Sequence, residues 1–157
     1  MNLLDIFAAD RLLLDLKARE KKGAIKELVQ HLVSVAAIDD DSVKKVERAI
    51  NKRESQGTTG IGKGIAIPHA KGCKSIKQTV AVFARSHEGV NFSSVDGGLV
   101  QLIFLVVSPP AQADEHLQVM RKIAALHKDE KTLKFLKTTE NVKSILGILQ
   151  EIDETFQ

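Results

Sequence analysis

The residues best placed to do chemistry lie between Arg53 and Ala70, in the run RESQGTTGIGKGIAIPHA. His69 is its reactive candidate. An imidazole has an unperturbed pKa near 6.5 and is largely neutral at cytoplasmic pH, so a ring nitrogen can attack phosphorus in line and leave again easily. Such transfer depends on positioning and on stabilising three equatorial oxygens rather than on covalent helpers. The surrounding residues are of the right kinds. Gly57, Gly60, Gly62 and Gly64 offer backbone N–H groups that a side chain would otherwise shield. Thr58 and Thr59 offer hydroxyls, and Arg53 a fixed guanidinium fork. Pro68 fixes φ just before His69 and holds Ile67 extended.

His116 is a second candidate. It falls near the start of a predicted helix after Pro109–Pro110, behind Asp114 and Glu115. A helix N-terminus attracts anions through its free N–H groups and its dipole, so His116 could donate to the oxygens of a phosphoryl group held there. His116, Met120, Ile123 and His127 also run down one helical face, which would suit packing as well.

Other readings of these residues fit less well. Gly57–Lys63 matches the phosphate-binding pattern G-x-x-x-x-G-K, but Gly64 stands where a magnesium-binding Ser or Thr is required. A charged helix precedes the loop, and Ile65–Pro68 cannot start a regular helix. A dinucleotide fingerprint fails because Ile65 takes the place of its third glycine. The glycines and Pro68 could serve turns alone, with His69 a satisfied structural histidine. His69-x-x-x-Cys73 could begin a metal site, yet no second pair has ligand spacing, so neither metal nor cofactor is expected. His31, His87 and His127 read as surface or packing residues.

These residues need a framework. Arg11–Leu16 suits a first short strand. Ile25, Leu28, Val29, Leu32, Val33 and Ala36 form one apolar helical face. The acidic cluster Asp39–Ser42 supplies helix-start chemistry for a helix burying Val43, Val46 and Ile50, and Arg53 continues that stripe. Thr79–Arg85 reads as a strand from its β-branched and aromatic content. Leu99–Val107, almost unbroken apolar sequence, predicts a central strand covered on both faces and stopped by Pro109–Pro110. Helices are predicted over Gln112–His127, Asp129–Lys137 and Asn141–Ile152. The fold class implied is α/β (α+β): a mixed β-sheet flanked by helices on both faces, in one domain spanning 1–157.

Composition narrows the classes. The hydrophobic share of 43% and charged share of 27% are those of a globular chain, whose core must be aliphatic because it has six Phe and no Trp or Tyr. A net charge of +3, dispersed among acidic residues along helices, argues against nucleic acid as a partner. The lone Cys73 can form no internal disulfide, which suits a reducing compartment. No apolar run is long enough to insert into a membrane, and MNLLDIFAADR lacks the pattern of a signal peptide, so a cytoplasmic location is expected.

Arg53-Glu54, Thr58 to Gly62 and Gly64 to His69, followed much later by His116-Leu117, closely resemble the active-site pattern of the IIA proteins of the bacterial phosphoenolpyruvate-dependent phosphotransferase system. The branch is the fructose/mannitol one, which includes the nitrogen-related regulatory IIA. The resemblance covers nearly the whole chain. It implies that His69 is phosphorylated through Nε2, that His116 is the second active-site histidine, and that Arg53 steadies the phosphoryl group. Thr58 stands where the family often has Ser. The implied donor resembles the small phosphocarrier protein HPr or its nitrogen-branch counterpart. Two roles follow: a regulatory module whose phosphorylation state controls a kinase, transporter or other partner, or a sugar-type IIA that passes phosphate to a IIB component. The free-standing chain and the loop TTGIGKGIAIPHAK favour the first.

Overall fold

A computed structural model describes residues 1–156. Its centre is strand β6, Val100–Val107. Successive side chains of a strand point to opposite faces. Leu102, Phe104 and Val106 therefore enter one core, while Ile103, Leu105 and Val107 enter another. The apolar run, interrupted only by half-buried Gln101, is the consequence of having a core on each face. Beside it runs β5, Val80–Val90, antiparallel, with Phe83 opposite Phe104. Three further pairings are parallel: β1 (Leu12–Leu13) on β5, and β3 (Ile65–Ala66) and β4 (His69–Ala70) on β6. β2 (Gly60–Gly62) pairs antiparallel with β3, giving the order β1-β5-β6-β3-β2 with β4 also on β6.

Helices cover both faces. α2 (Lys21–Ser34) and α3 (Val43–Ser55) bury Leu28, Leu32, Val46 and Ile50 against Val82, Ala84 and Ile103. On the other side lie α1 (Leu3–Ile6), α4 (Ala113–Ala124), α5 (Glu130–Thr138) and α6 (Val142–Thr155), which bury Leu3, Ile123, Leu136 and Leu149 against Phe83, Phe104 and Val106. Each such fully buried aliphatic or Phe side chain contributes about 1.5–3 kcal/mol. Two buried charges tie the ends of the chain together. Lys122 Nζ donates to Asp153 Oδ1 at 3.0 Å and to Met1 O at 2.9 Å, and the same carboxylate accepts from Leu3 N at 2.8 Å.

The mixed sheet with helices on both faces agrees with the sequence reading, while several boundaries differ. α2 stops at Ser34, and Ala36 lies outside it with a φ of 57° and an exposed side chain. Ala37 N bonds back to Leu32 O at 2.8 Å, so a left-handed residue closes the helix where glycine is more usual. The first strand shrinks to Leu12–Leu13. The helix predicted to reach His127 ends at Ala124 and tightens into a 3-10 turn over Ala125–Lys128. Asp129 and Asn141, the first residues of two predicted helices, lie one position ahead of α5 and α6 as their caps, accepting from Thr132 N and Ser144 N.

Candidate functional site: two histidines at the end of the central strand

The C-terminal end of β6 builds the site. Val106 N donates to Pro68 O at 3.1 Å and Ser108 N to Ala70 O at 2.9 Å, so the backbone of His69 is held on both sides. Ile67 N, two residues earlier, donates to Thr59 O at 3.0 Å. The ring is fixed as well: His69 Nδ1 lies 2.8 Å from Ile67 O. A carbonyl oxygen can only accept, so Nδ1 carries the proton and Nε2 keeps its lone pair when the ring is neutral. Partial burial lowers the His69 pKa below 6.5; the Ile67 bond opposes this, and the charges of Arg53 and Lys71 add to it.

His116, in the first turns of α4, is 4% exposed. Its ring stands with its centroid 5.5 Å from that of His69, at an interplanar angle of 47°. Nδ1 lies 2.7 Å from Ser108 Oγ, whereas Nε2 is buried and has no hydrogen-bond partner among the described residues. Burial pushes the His116 pKa down to about 4, helped by the nearby charge positions of His69 and Lys71, so this imidazole is neutral at pH 7.

The two histidines share a cleft of about 440 Å³ with Arg53, Lys71, Leu117 and Met120. Arg53 arrives there because it lies in the last turn of α3. Its Nη1 donates to Gly57 O at 2.8 Å, tethering the guanidinium to the turn that follows the helix. Arg53, His69 and His116 thus come together from a helix end, a short strand and a helix start.

The glycine-rich segment and the two threonines are placed differently from the sequence reading. Gly60–Ala66 is a hairpin, with Lys63 and Gly64 at its turn and φ values of 57° and 80°. Two successive positive φ angles suit the tight hairpin turns that match strand twist. Lys63 N donates to Asp96 Oδ2 at 3.1 Å, and Gly64 O accepts from Gln101 N and Leu102 N. Gly60, Gly62 and Gly64 therefore serve a hairpin and its docking on β6. Thr58 Oγ1 donates to Phe92 O at 2.7 Å and accepts from Gly60 N at 3.1 Å. Thr59 Oγ1 donates to buried Glu54, which also accepts from Thr59 N and pairs with Lys21 Nζ at 3.0 Å. Neither hydroxyl lines the cleft. Both hold the connection that leads from Arg53 to His69.

Some residues of the site escaped the sequence reading. Ser108, fully buried, contacts His116 through its hydroxyl and β4 through its backbone. Thr79 Oγ1 lies 2.9 Å from Ser108 Oγ and 2.8 Å from Gln112 Oε1. A serine that follows a strand carries no local signal of this role. Cys73, spaced from His69 as a ligand might be, is buried and contacts Ser75 Oγ. No helix of the described residues is long and apolar enough to cross a membrane.

Known proteins bear on this geometry. Residues 5–152 match the family described as the phosphoenolpyruvate-dependent sugar phosphotransferase system, EIIA 2. The chain is 32% identical over 149 residues to a nitrogen regulatory protein of Bradyrhizobium diazoefficiens, covering 95% of each. It is 35% identical over 134 residues to a fructose-specific EIIA component of Haloferax volcanii, covering 85% of each. It is also 32% identical over 154 residues to the fructose-specific EIIABC component of Bacillus subtilis, and spans 24% of that protein's length. Among solved structures, nitrogen regulatory protein IIA-Ntr of Neisseria meningitidis superposes with a TM-score of 0.82 at 30% identity, covering 92% of this chain and 97% of that one. The mannitol IIA of Escherichia coli, in complex with phosphorylated enzyme IIB, gives 0.77 at 25% identity, covering 93% and 99%. With the match running along nearly all of the chain and the same fold in these relatives, the chain belongs to the EIIA 2 family of the phosphoenolpyruvate-dependent sugar phosphotransferase system.

Proposed function

We propose that His69 is the phosphoacceptor of this chain and that Nε2 is the atom that carries the phosphoryl group. The observation behind this is the bond of His69 Nδ1–H to Ile67 O, which leaves a lone pair on Nε2 in a cleft shared with Arg53 and His116. The Nε2 pair attacks the phosphorus of a donor phosphohistidine as the donor N–P bond breaks. The donor ring keeps the electron pair of that bond, and the in-line geometry needs no added base. Arg53 offers planar charge-assisted donors to the phosphoryl oxygens. His116, neutral and buried, offers Nε2 from the opposite wall. Thr58 and Thr59 act at one remove, by holding the turn between Arg53 and His69.

The donor is an HPr-like phosphocarrier protein, and no cofactor takes part. The preferred role is that of a nitrogen-regulatory IIA, whose phosphorylation state controls a partner such as a kinase or transporter. Similarity to nitrogen regulatory proteins along nearly the full length of both chains supports this. Similarity to fructose-specific EIIA proteins supports the second reading, delivery of phosphate to a IIB component. One experiment addresses both. The chain is phosphorylated with phosphoenolpyruvate, enzyme I and HPr, the modified atom is mapped, and the product is offered to purified IIB proteins. Pull-downs with His69→Ala and His69→Asp run in parallel. Phosphate retained before every IIB, with capture of partners that depends on the His69 state, supports regulation; rapid loss to one IIB supports transport.

A further inference from the structure

A phosphoryl group on a side chain carries a charge of about −1.5 to −2 at pH 7. The residues already placed around His69 balance only part of it. Arg53 brings one positive charge, and its Nη1 is engaged with Gly57 O. His116 is neutral at pH 7 and brings none. Among the described residues no carboxylate lines the cleft, and the one whose charge bears on His69, Glu54, is buried and paired with Lys21.

The other cation of the cleft is Lys71. It stands two residues after His69, and alternate side chains of an extended chain share a face. Ala70 between them enters the core, while His69 and Lys71 both line the cleft. The side chain of Lys71 is exposed, but its backbone is fixed. Ser108 N donates to Ala70 O at 2.9 Å and Cys73 N donates to Ser108 O at 2.9 Å, so the turn that carries Lys71 closes around one residue at the end of the sheet. Gly72, at a φ of 67°, bends the chain directly after it. Lys17, Lys21, Lys63 and Lys122 each pair with a carboxylate, whereas Lys71 has no such partner among the described residues. Its charge reaches both imidazoles, lowering the pKa of His69 and of His116.

We propose that Lys71 is a phosphoryl-binding residue, whose ammonium group supplies the second positive charge that holds the phosphoryl group on His69. The inference rests on the reading of His69 as phosphoacceptor. It also differs measurably from a docking role. A lysine that only attracts an acidic patch of the donor protein speeds transfer in both directions alike and leaves the equilibrium where it was. A lysine that binds the phosphoryl group stabilises the phosphorylated chain, and so changes the equilibrium constant.

The test is the equilibrium distribution of ³²P between HPr and this chain, approached from both sides, for wild type, Lys71→Gln and Lys71→Arg. The wild-type side chain is exposed and unpaired, so both variants should fold. Lys71→Gln should shift the equilibrium toward HPr by about tenfold, as expected for one lost charge-assisted bond. Lys71→Arg should restore most of the loss. Phosphorus NMR of the phosphorylated forms gives a second reading that needs no partner. The phosphoryl group should take up its proton at higher pH in Lys71→Gln than in wild type, because a neighbouring cation favours the dianion. An unchanged equilibrium in Lys71→Gln, with forward and reverse rates slowed equally, would overturn the proposal and make Lys71 a docking residue. An unchanged phosphoryl titration would overturn it too. Absence of any label on wild-type His69 would instead overturn the carrier reading, and this inference with it.

Discussion

His69 and His116 face each other across one cleft, ring centroids 5.5 Å apart and 47° out of parallel, each held at Nδ1 by a partner of its own. Their anchors differ in kind. A carbonyl fixes the proton of His69 on Nδ1, and a hydroxyl leaves that of His116 to be set by its neighbours. The pair thereby presents one lone pair and one potential donor to the same space, an asymmetry suited to an acceptor and its helper.

Arg53 and His116 should matter to the rate and not to the site of labelling. Losing one preorganised donor in such a cleft costs about 2.7–4 kcal/mol, a hundredfold to thousandfold in rate. Arg53→Lys should recover only part of it, because an ammonium lacks the planar fork. Quench-flow transfer with Arg53→Ala, Arg53→Lys and His116→Ala checks this; wild-type rates in folded variants would remove both residues from the mechanism.

The charge of Arg53 also holds the His69 pKa down. Transfer requires neutral His69, so the rate should stay level as pH falls to 6.5 and decline only below it. Removing the positive charge in Arg53→Gln should move that decline to higher pH. A pH–rate profile of kcat/KM for wild type and variant tests the sign, and a decline at lower pH in Arg53→Gln would contradict it.

His116 should make the fold acid-sensitive over a defined window. Its folded pKa of about 4 lies below the ordinary 6.5, so between these values the unfolded chain binds more protons than the folded one. The stabilisation is complete above pH 6.5 and is lost as pH falls toward 4. Urea midpoints at pH 7 and pH 5 should differ more in wild type than in His116→Gln. Equal differences would place the acid sensitivity elsewhere.

Thr59→Val should act on stability before it acts on chemistry. It removes a hydroxyl bonded to buried Glu54 and leaves that carboxylate with Lys21 and Thr59 N alone. The expected cost is about 1–3 kcal/mol in urea unfolding. Transfer by the folded fraction should be slowed less than in Arg53→Gln; the opposite ranking would return the hydroxyl to the phosphoryl group.

The parts legible in the sequence were those with a local period or a rigid residue. Leu99–Val107 reads as a strand covered on both faces because Gln101 alone interrupts its apolar run. Pro68-His69 and the stripe ending in Arg53 announced where two side chains would be held. The glycines are ambiguous in sequence, because a tight hairpin turn and an anion cradle draw on the same freedom at positive φ; the pairing of β2 with β3 is what places Gly60, Gly62 and Gly64 in a hairpin. Ser108 and Thr79 were silent because their role depends on β5, β6 and α4 meeting in space. Arg85 was equally hidden. It lies fully buried in β5, donating to the carbonyls of Leu136 and Thr139 and pairing with Glu140, an arrangement that no pattern within TVAVFAR foretells.

The most direct measurement is phosphorylation of wild type and His69→Ala by phosphoenolpyruvate, enzyme I and HPr, with the product mapped by mass spectrometry and phosphorus–nitrogen coupling. Wild type should carry one acid-labile, base-stable phosphoryl group on Nε2 of His69, and His69→Ala none, with its fold intact by circular dichroism. Full incorporation in His69→Ala, or phosphate on His116 in the wild type, would contradict the assignment of the cleft.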